Sequence, residues 1–316
     1  MTLDHWEAYY RGGALVSCPT GPEPNYSKEV RDAWTRFFAR LSNGARILDI
    51  GCGNGPVALI ATETATELSR TFEIDAVDLA EIDPPAHVPN GKSMFSGIRF
   101  QSGINTEALP FDAASFDAVS GQYIIEYTNI QQTMAEVFRV LRPGAESQFI
   151  LHHTESIVVC NARESLRHAD LAIKEVKIIR LFRRYCDKAS ESVHKAENAR
   201  RELFKAGARL EQIASGSENP LFLNYIIESV STLFQHQNKM SSGQMLQTTD
   251  HLERELKNWI RRLSDLVSGA RSAADLHDIV SFTEKLGFDD VDTALQMQDG
   301  DNLVGWRLKM CKPPSA

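Results

Sequence analysis

Two hydrophobic rhythms run along this chain, and it passes from one to the other and back. Over residues 27–41, SKEVRDAWTRFFARL, apolar side chains recur every three or four positions, which predicts a helix with Ser27 at its N-cap. The apolar run Arg46–Ile50 predicts a strand leading into a glycine turn, and Pro56 to Ser69 a helix. Glu73–Leu79, Ile98–Gln101, Phe116–Gln122 and Gln148–Leu151 predict further strands, with a helix over Ile130–Leu141 that ArgProGly (142–144) stops. Strands alternating with helices of this length imply a parallel sheet wrapped on both faces. From about Asn161 to Ala270 the alternation lapses and the spacing is helical, as at Leu166, Ala169, Ile173, Val176, Phe182 and Tyr185. Further helical patterns cover Phe222–Gln235 and Met245–Val267. The sheet then resumes. Gly287 ends a helix over Ala273–Leu286, and the strands Val291–Gln296 and Leu303–Met310 flank an AspGlyAsp turn (299–301), the mark of an antiparallel hairpin. Residues 1–26 mix aromatics with turn formers, which predicts a short helix and then an irregular CPTGPEPNY segment.

Composition narrows the class without naming it. The 316 residues are 42% hydrophobic and 24% charged, ordinary for a globular protein, with a net charge of −8. Surfaces that neutralise phosphates carry a basic excess, so nucleic acid is not expected as a partner. The local cluster Arg180, Arg183 and Arg184 reads as a solvated helix face. Five cysteines (Cys18, Cys52, Cys160, Cys186, Cys311) show no CxxC pairing, which argues against a structural metal site or a disulfide framework and suits a reducing cytoplasm. MTLDHWEAYY has an early acid and no apolar core segment, unlike a signal peptide, and no stretch approaches 18 uninterrupted apolar residues. The expectation is a cytoplasmic protein without a membrane span.

The chemistry begins at ILDIGCGNG, residues 47–55. Its glycines stand at 51, 53 and 55, and Pro56 occupies the position where the dinucleotide fingerprint GxGxxG needs its last glycine. Asp49 precedes the turn inside the strand end. This pattern resembles the first motif of class I S-adenosylmethionine-dependent methyltransferases. The resemblance continues through Asp78 in AVDLAE, through INTEALPFDAASFDAVSGQYIIEY, and through ArgValLeuArgProGly at 139–144, and covers about residues 40–152 and 272–311. It implies a Rossmann-like α/β fold, a seven-stranded sheet with an antiparallel C-terminal hairpin, here carrying an α-helical insertion. It also implies S-adenosyl-L-methionine as cofactor. Asp49, Gly51, Cys52, Gly53 and Gly55 would then hold the methionine part, Asp78 and Leu79 the ribose, Asn105 and Thr106 the adenine, with Gln122 and Tyr10 closing the site. Relatives mostly carry Asp where this chain has Asn105; an Asn amide can still accept from the adenine amino group.

Such a domain also needs an acceptor site. A hydroxyl with a pKa of about 10 benefits from a base, and His152 and His153 lie just past the fifth strand, on the ligand-binding edge of an open sheet. Neighbouring strand residues point to opposite faces, so at most one would face the site. Glu126 is a second catalytic candidate, and Tyr9, Tyr26, Tyr123 and Tyr127 are candidate acceptor contacts. The expected organisation is an N-terminal helical cap over 1–41, a methyltransferase domain over 42–157 and 271–316, and a helical insertion over 158–270 serving as lid, dimer interface or both. Its abundant Leu, Ile, Phe and Tyr favour a largely apolar or aromatic acceptor, of the kind met in secondary metabolism, and a homodimer. Transfer to oxygen is the leading expectation. Transfer to carbon or nitrogen, of a small molecule or a carrier-bound intermediate, and a non-catalytic protein that binds the cofactor and assembles through the insertion remain open.

Overall fold

The structure is a computed structural model that describes residues 3–18 and 25–315. Residues 19–24 of the expected irregular segment lie outside the described residues. Two compact units emerge, the first comprising residues 1–159 and 268–316, the second residues 160–267. The first 41 residues fall within the first unit.

The first unit starts with helix α1 (Asp4–Arg11) and helix α2 (Lys28–Phe38). Ser27 stands at the N-cap of α2, but its side chain makes no capping bond. One face of α2 buries Val30, Ala33, Trp34, Phe37 and Phe38, the three-and-four spacing seen in the sequence. Strand β1 (Arg46–Ile50) leads through the glycine turn into helix α3 (Pro56–Glu67), where Pro56 takes a first-turn position that needs no amide donor. Strand β2 (Glu73–Val77) stops one residue before Asp78, shorter than expected. AspProPro (83–85), which reads as loop, opens the single-turn helix α4 (Pro84–His87), because Asp83 accepts a capping bond from the Ala86 amide. Helix α5 (Gly91–Met94), strand β3 (Ile98–Gln101), strand β4 (Phe116–Gln122) and helix α6 (Ile130–Val140) follow. Strand β5 (Leu141–Leu151) is seven residues longer than its apolar core suggests. ArgProGly ends the helix but is absorbed into the strand through an irregularity in its pairing with β4.

The seven strands form one sheet in the order β3-β2-β1-β4-β5-β7-β6, where β6 is Asp289–Gln298 and β7 is Asn302–Cys311. The strands β1 to β5 are mutually parallel, and β7 runs antiparallel to both β5 and β6. Parallel strands are covered on both faces, so β1 and β4 bury nearly every residue and read as continuous apolar runs. Leu48, Ile50, Val119, Met134 and Phe149 are among the fully enclosed side chains of this core. Each contributes about 1.5–3 kcal/mol of burial. The strand order reverses between β1 and β4, and there the carboxyl ends of the strands open a crevice.

The second unit is helical. Helix α7 (Ile157–Asp170) leads into it, through a wide turn at Leu171–Glu175, to α8 (Ile178–Glu191), α9 (Val193–Ser215) and α10 (Leu221–His236). Helix α11 (Ser242–Gly269) leads out, and α12 (Ala273–Leu286) rejoins the sheet, its end closed by Gly287 in the left-handed region. Phe182, Leu210, Phe222, Leu223, Ile226 and Leu256 are the enclosed centre of this unit. The cluster of arginines is not a bare solvated face: Arg183 pairs with Asp250 and Glu253, and Arg184 with Glu202. Among the described residues, no helix is long and apolar enough to cross a membrane.

Candidate active site

Three of the four residues after β1 that could be anything in a loop are constrained here by contact. Gly51 has φ +59°, and a Cβ on it would lie 2.2 Å from Ile124. Gly53 has φ +49°, and a Cβ there would lie 2.7 Å from the Tyr10 ring. Both positions require the left-handed region and the missing side chain together. Asn54 donates from Nδ2 to the carbonyls of Tyr10 (2.9 Å) and Ala14 (2.7 Å), which ties the N-terminal segment to the turn. Gly55 differs: its absent Cβ makes room for Phe100, so it is a packing glycine away from the crevice.

The crevice itself is a cavity with about 1080 Å³ of empty space, its open mouth included. Asp78 enters from the end of β2. Its Oδ2 accepts from the Gly53 amide and its Oδ1 from the Ala80 amide, both at 2.8 Å. Asp49 and Ser120 are register partners on adjacent parallel strands, so their side chains share a face. Ser120 Oγ donates to Asp49 Oδ1 at 2.8 Å, while Oδ2 is buried without a partner. Burial pushes this carboxyl up to about 7. Gln122 accepts from the Trp34 indole at 2.5 Å, and its Nε2 is buried with no acceptor. A carboxylate oxygen and an amide donor, both unsatisfied and both lining one cavity, suit the ammonium and the carboxylate of an amino-acid ligand. Leu79, Asn105 and Thr106 line the same cavity, as do Cys52 and Tyr10. Asn105 Oδ1 accepts from the Glu107 amide at 3.0 Å, and Thr106 is buried beside Thr133.

The remaining wall is aromatic. Trp6 stacks on Tyr10 with centroids 6.0 Å apart and meets Tyr127 edge-on at 6.4 Å. Tyr26 and Tyr123 also line it, and burial pushes both phenols above their ordinary range. Tyr123 follows β4 with φ +56°, a strained conformation for a tyrosine, and its ring lies flat on His152, 3.8 Å between centroids and 4° between planes. Tyr9 does not reach the cavity, because its hydroxyl donates to the Val16 carbonyl at 2.8 Å.

His152 lines the cavity and His153 does not. The His152 ring is fully enclosed, with Nε2 3.9 Å from Cys18 Sγ and Nδ1 lacking a partner. Burial lowers its pKa to about 3, so the imidazole is neutral at physiological pH. His153 turns the other way, stacks against Trp306 at 4.5 Å, and accepts the Glu155 amide on Nδ1. Glu126 is also displaced from its expected role. It lies outside the cavity wall, and its Oε1 accepts from the His152 amide at 2.8 Å. Arg271 completes the arrangement, donating from its own amide to the His152 carbonyl (2.8 Å) and from Nη2 to the Glu126 carbonyl (2.7 Å). Burial raises the Glu126 carboxyl to about 7. Trp6, Cys18 and Asn54 line the cavity without having been singled out in the sequence. Trp6 was within reach of sequence reasoning, since it sits three and four residues before Tyr9 and Tyr10 on one helical face; Cys18, in an irregular stretch, carried no signal.

Residues 48–147 match the family model of a methyltransferase domain. The ubiquinone/menaquinone biosynthesis C-methyltransferase UbiE of Xanthomonas oryzae pv. oryzae (strain MAFF 311018) is 29% identical over 130 residues, 38% of this chain and 49% of that protein. The sterol 4-C-methyltransferase strm-1 of Caenorhabditis elegans is 31% identical over 110 residues, 34% of this chain and 30% of that protein. The chain thus spans about half the length, or less, of these curated relatives. The solved CurJ carbon methyltransferase is similar over 90% of this chain and 53% of that one, at 10% identity and a TM-score of 0.45. With the glycine turn at the centre of a seven-stranded sheet of this order, and the matched stretch running from β1 into β5, the chain carries a class I S-adenosylmethionine-dependent methyltransferase domain.

Proposed function

We propose that this protein methylates a small, largely apolar or aromatic molecule at oxygen, using S-adenosyl-L-methionine. The observation that carries the reading is the convergence on one cavity of Asp78, the unpartnered Asp49 Oδ2, the unpartnered Gln122 Nε2 and the neutral His152 imidazole. When bound, the cofactor supplies an activated sulfonium methyl group. Asp78 would accept from the ribose hydroxyls, Asp49 from the ligand ammonium, and Gln122 would donate to its carboxylate. Trp6 and Tyr10 cover the glycine turn and exclude water. Alignment of acceptor and methyl then provides most of the rate. His152, held by Glu126 and Arg271 through its main chain and by Tyr123 through its ring, takes the proton from the acceptor hydroxyl as the methyl arrives.

One observation favours carbon as the acceptor atom instead. An imidazole with a pKa of about 3 is a weak acceptor for a phenol proton of pKa about 10. That step is strongly uphill unless proton loss accompanies methyl transfer. A carbon nucleophile whose proton leaves after transfer does not face that cost. Isotope-labelled S-adenosylmethionine offered to cell extracts, with products identified by mass spectrometry, separates the two: acid-stable label on carbon refutes oxygen transfer, and absence of any labelled product refutes the methyltransferase reading. In the helical unit the exposed Phe204, Leu221 and Leu246 support self-association as a dimer, which light scattering of the purified chain tests.

A further inference from the structure

We propose that the cavity accepts an uncharged aromatic acceptor and rejects anionic ones, carboxylates and phosphates alike. This rests on the methyl-transfer reading of the same cavity. The argument is one of charge bookkeeping along the wall. Asp49, Asp78 and Glu107 line it, and no Lys or Arg is present among the described lining residues. His152, the one further group that could turn cationic, stays neutral because it is buried.

An anion entering this space would give up its hydration beside carboxylates, with no Lys or Arg among the described lining residues to replace it. Burial of an unpaired charge is among the most costly events in a protein interior. The groups that remain are ring faces and edges, from Trp6, Tyr10, Tyr26, Tyr123 and Tyr127. Such a wall recognises flat, apolar molecules with one polar group. Asp49 and Asp78 are already spoken for by the cofactor, so they add repulsion for anions without offering a seat to the acceptor.

The test uses the full chain and two probes that share one ring system and differ in charge. S-adenosylhomocysteine is titrated first by calorimetry. The saturated protein is then titrated at neutral pH with 2-naphthol and 2-naphthoate. The expected result is binding of 2-naphthol at least about 100-fold tighter than 2-naphthoate. Naphthoate affinity within about tenfold of naphthol, or no binding of either probe at about 1 mM, would each overturn the proposal. Failure of S-adenosylhomocysteine itself to bind overturns the methyl-transfer reading and this proposal with it. Its binding followed by charge-blind affinities overturns this proposal alone.

Discussion

Replacing Asp49 with Asn should stabilise the ligand-free protein while removing its affinity for cofactor. The Asp49 carboxyl is 1% exposed, and burial raises its pKa from 3.8 to about 7. For an acid with a raised folded pKa, the protonated form favours the fold. That contribution is complete below pH 3.8, declines as pH climbs towards 7, and is flat above it. The rise corresponds to a penalty of about 4 kcal/mol at pH 8 relative to a group that never ionises. Asn keeps the oxygen that accepts from Ser120 but leaves an amide nitrogen unpaired where Oδ2 stood, which returns about 1–3 kcal/mol. The net gain at pH 8 is therefore about 1–3 kcal/mol, worth about 2–4 °C in Tm per kcal/mol for a domain of this size. Urea unfolding of both proteins without ligand, at pH 5 and pH 8, measures it. The advantage of the variant should grow by about 3 kcal/mol between those two values. An advantage that does not change with pH would refute the reasoning, because it would mean that the carboxyl is not held against its ionisation. Calorimetry on the same variant should show weakened S-adenosylhomocysteine binding. Unchanged binding would mean that the free oxygen is not a ligand group.

Asp78→Ala should weaken S-adenosylhomocysteine binding by at least about 100-fold, since hydrogen bonds to a charged group are worth about 1.5–3 kcal/mol each; calorimetry giving wild-type affinity would place the ribose elsewhere. Gly53→Ala should also abolish binding, because its Cβ would stand 2.7 Å from the Tyr10 ring in a left-handed backbone, and the double variant with Tyr10→Ala should recover part of it in the same assay. His152→Ala should cut turnover by about 10²–10⁴ if the imidazole accepts the proton, while His153→Ala, which loses only its contact with Trp306, should leave turnover near wild type and lower Tm slightly. Glu126→Gln should keep kcat within a few-fold of wild type, because a Gln oxygen can still accept from the His152 amide, and Glu126→Ala should lower kcat about tenfold with little change in KM; equal losses in both would make Glu126 a proton carrier after all.

Much of the cavity wall around the glycine turn was legible in the sequence. Glycine spacing, an acid at the strand end and a second acid 23 residues beyond the turn are all read in register along neighbouring strands, and adjacency in a parallel sheet follows from the alternation of strands and helices. The acceptor side was less accessible. Glu126 and His152 are separated by 26 residues, and only the pairing of β4 with β5 brings the carboxylate onto the His152 amide rather than into the cavity. Tyr9 and Tyr10 are neighbours with equal aromatic character, and only the docking of their helix against the turn sends one ring over Gly53 and the other hydroxyl to Val16.

What the sequence determined by itself is therefore local and periodic: seven strands, the reversed last hairpin, a long helical stretch read over residues 158–270, and a glycine turn after the first strand. These follow from hydrophobic rhythm and backbone sterics, which act between residues a few positions apart. The tertiary structure decided which polar atoms were left unsatisfied, which histidine was enclosed, and how far burial displaced Asp49, Glu126 and His152 from their ordinary ionisation. Those properties depend on the dielectric and the partners that distant segments supply, and a one-dimensional pattern carries no record of either.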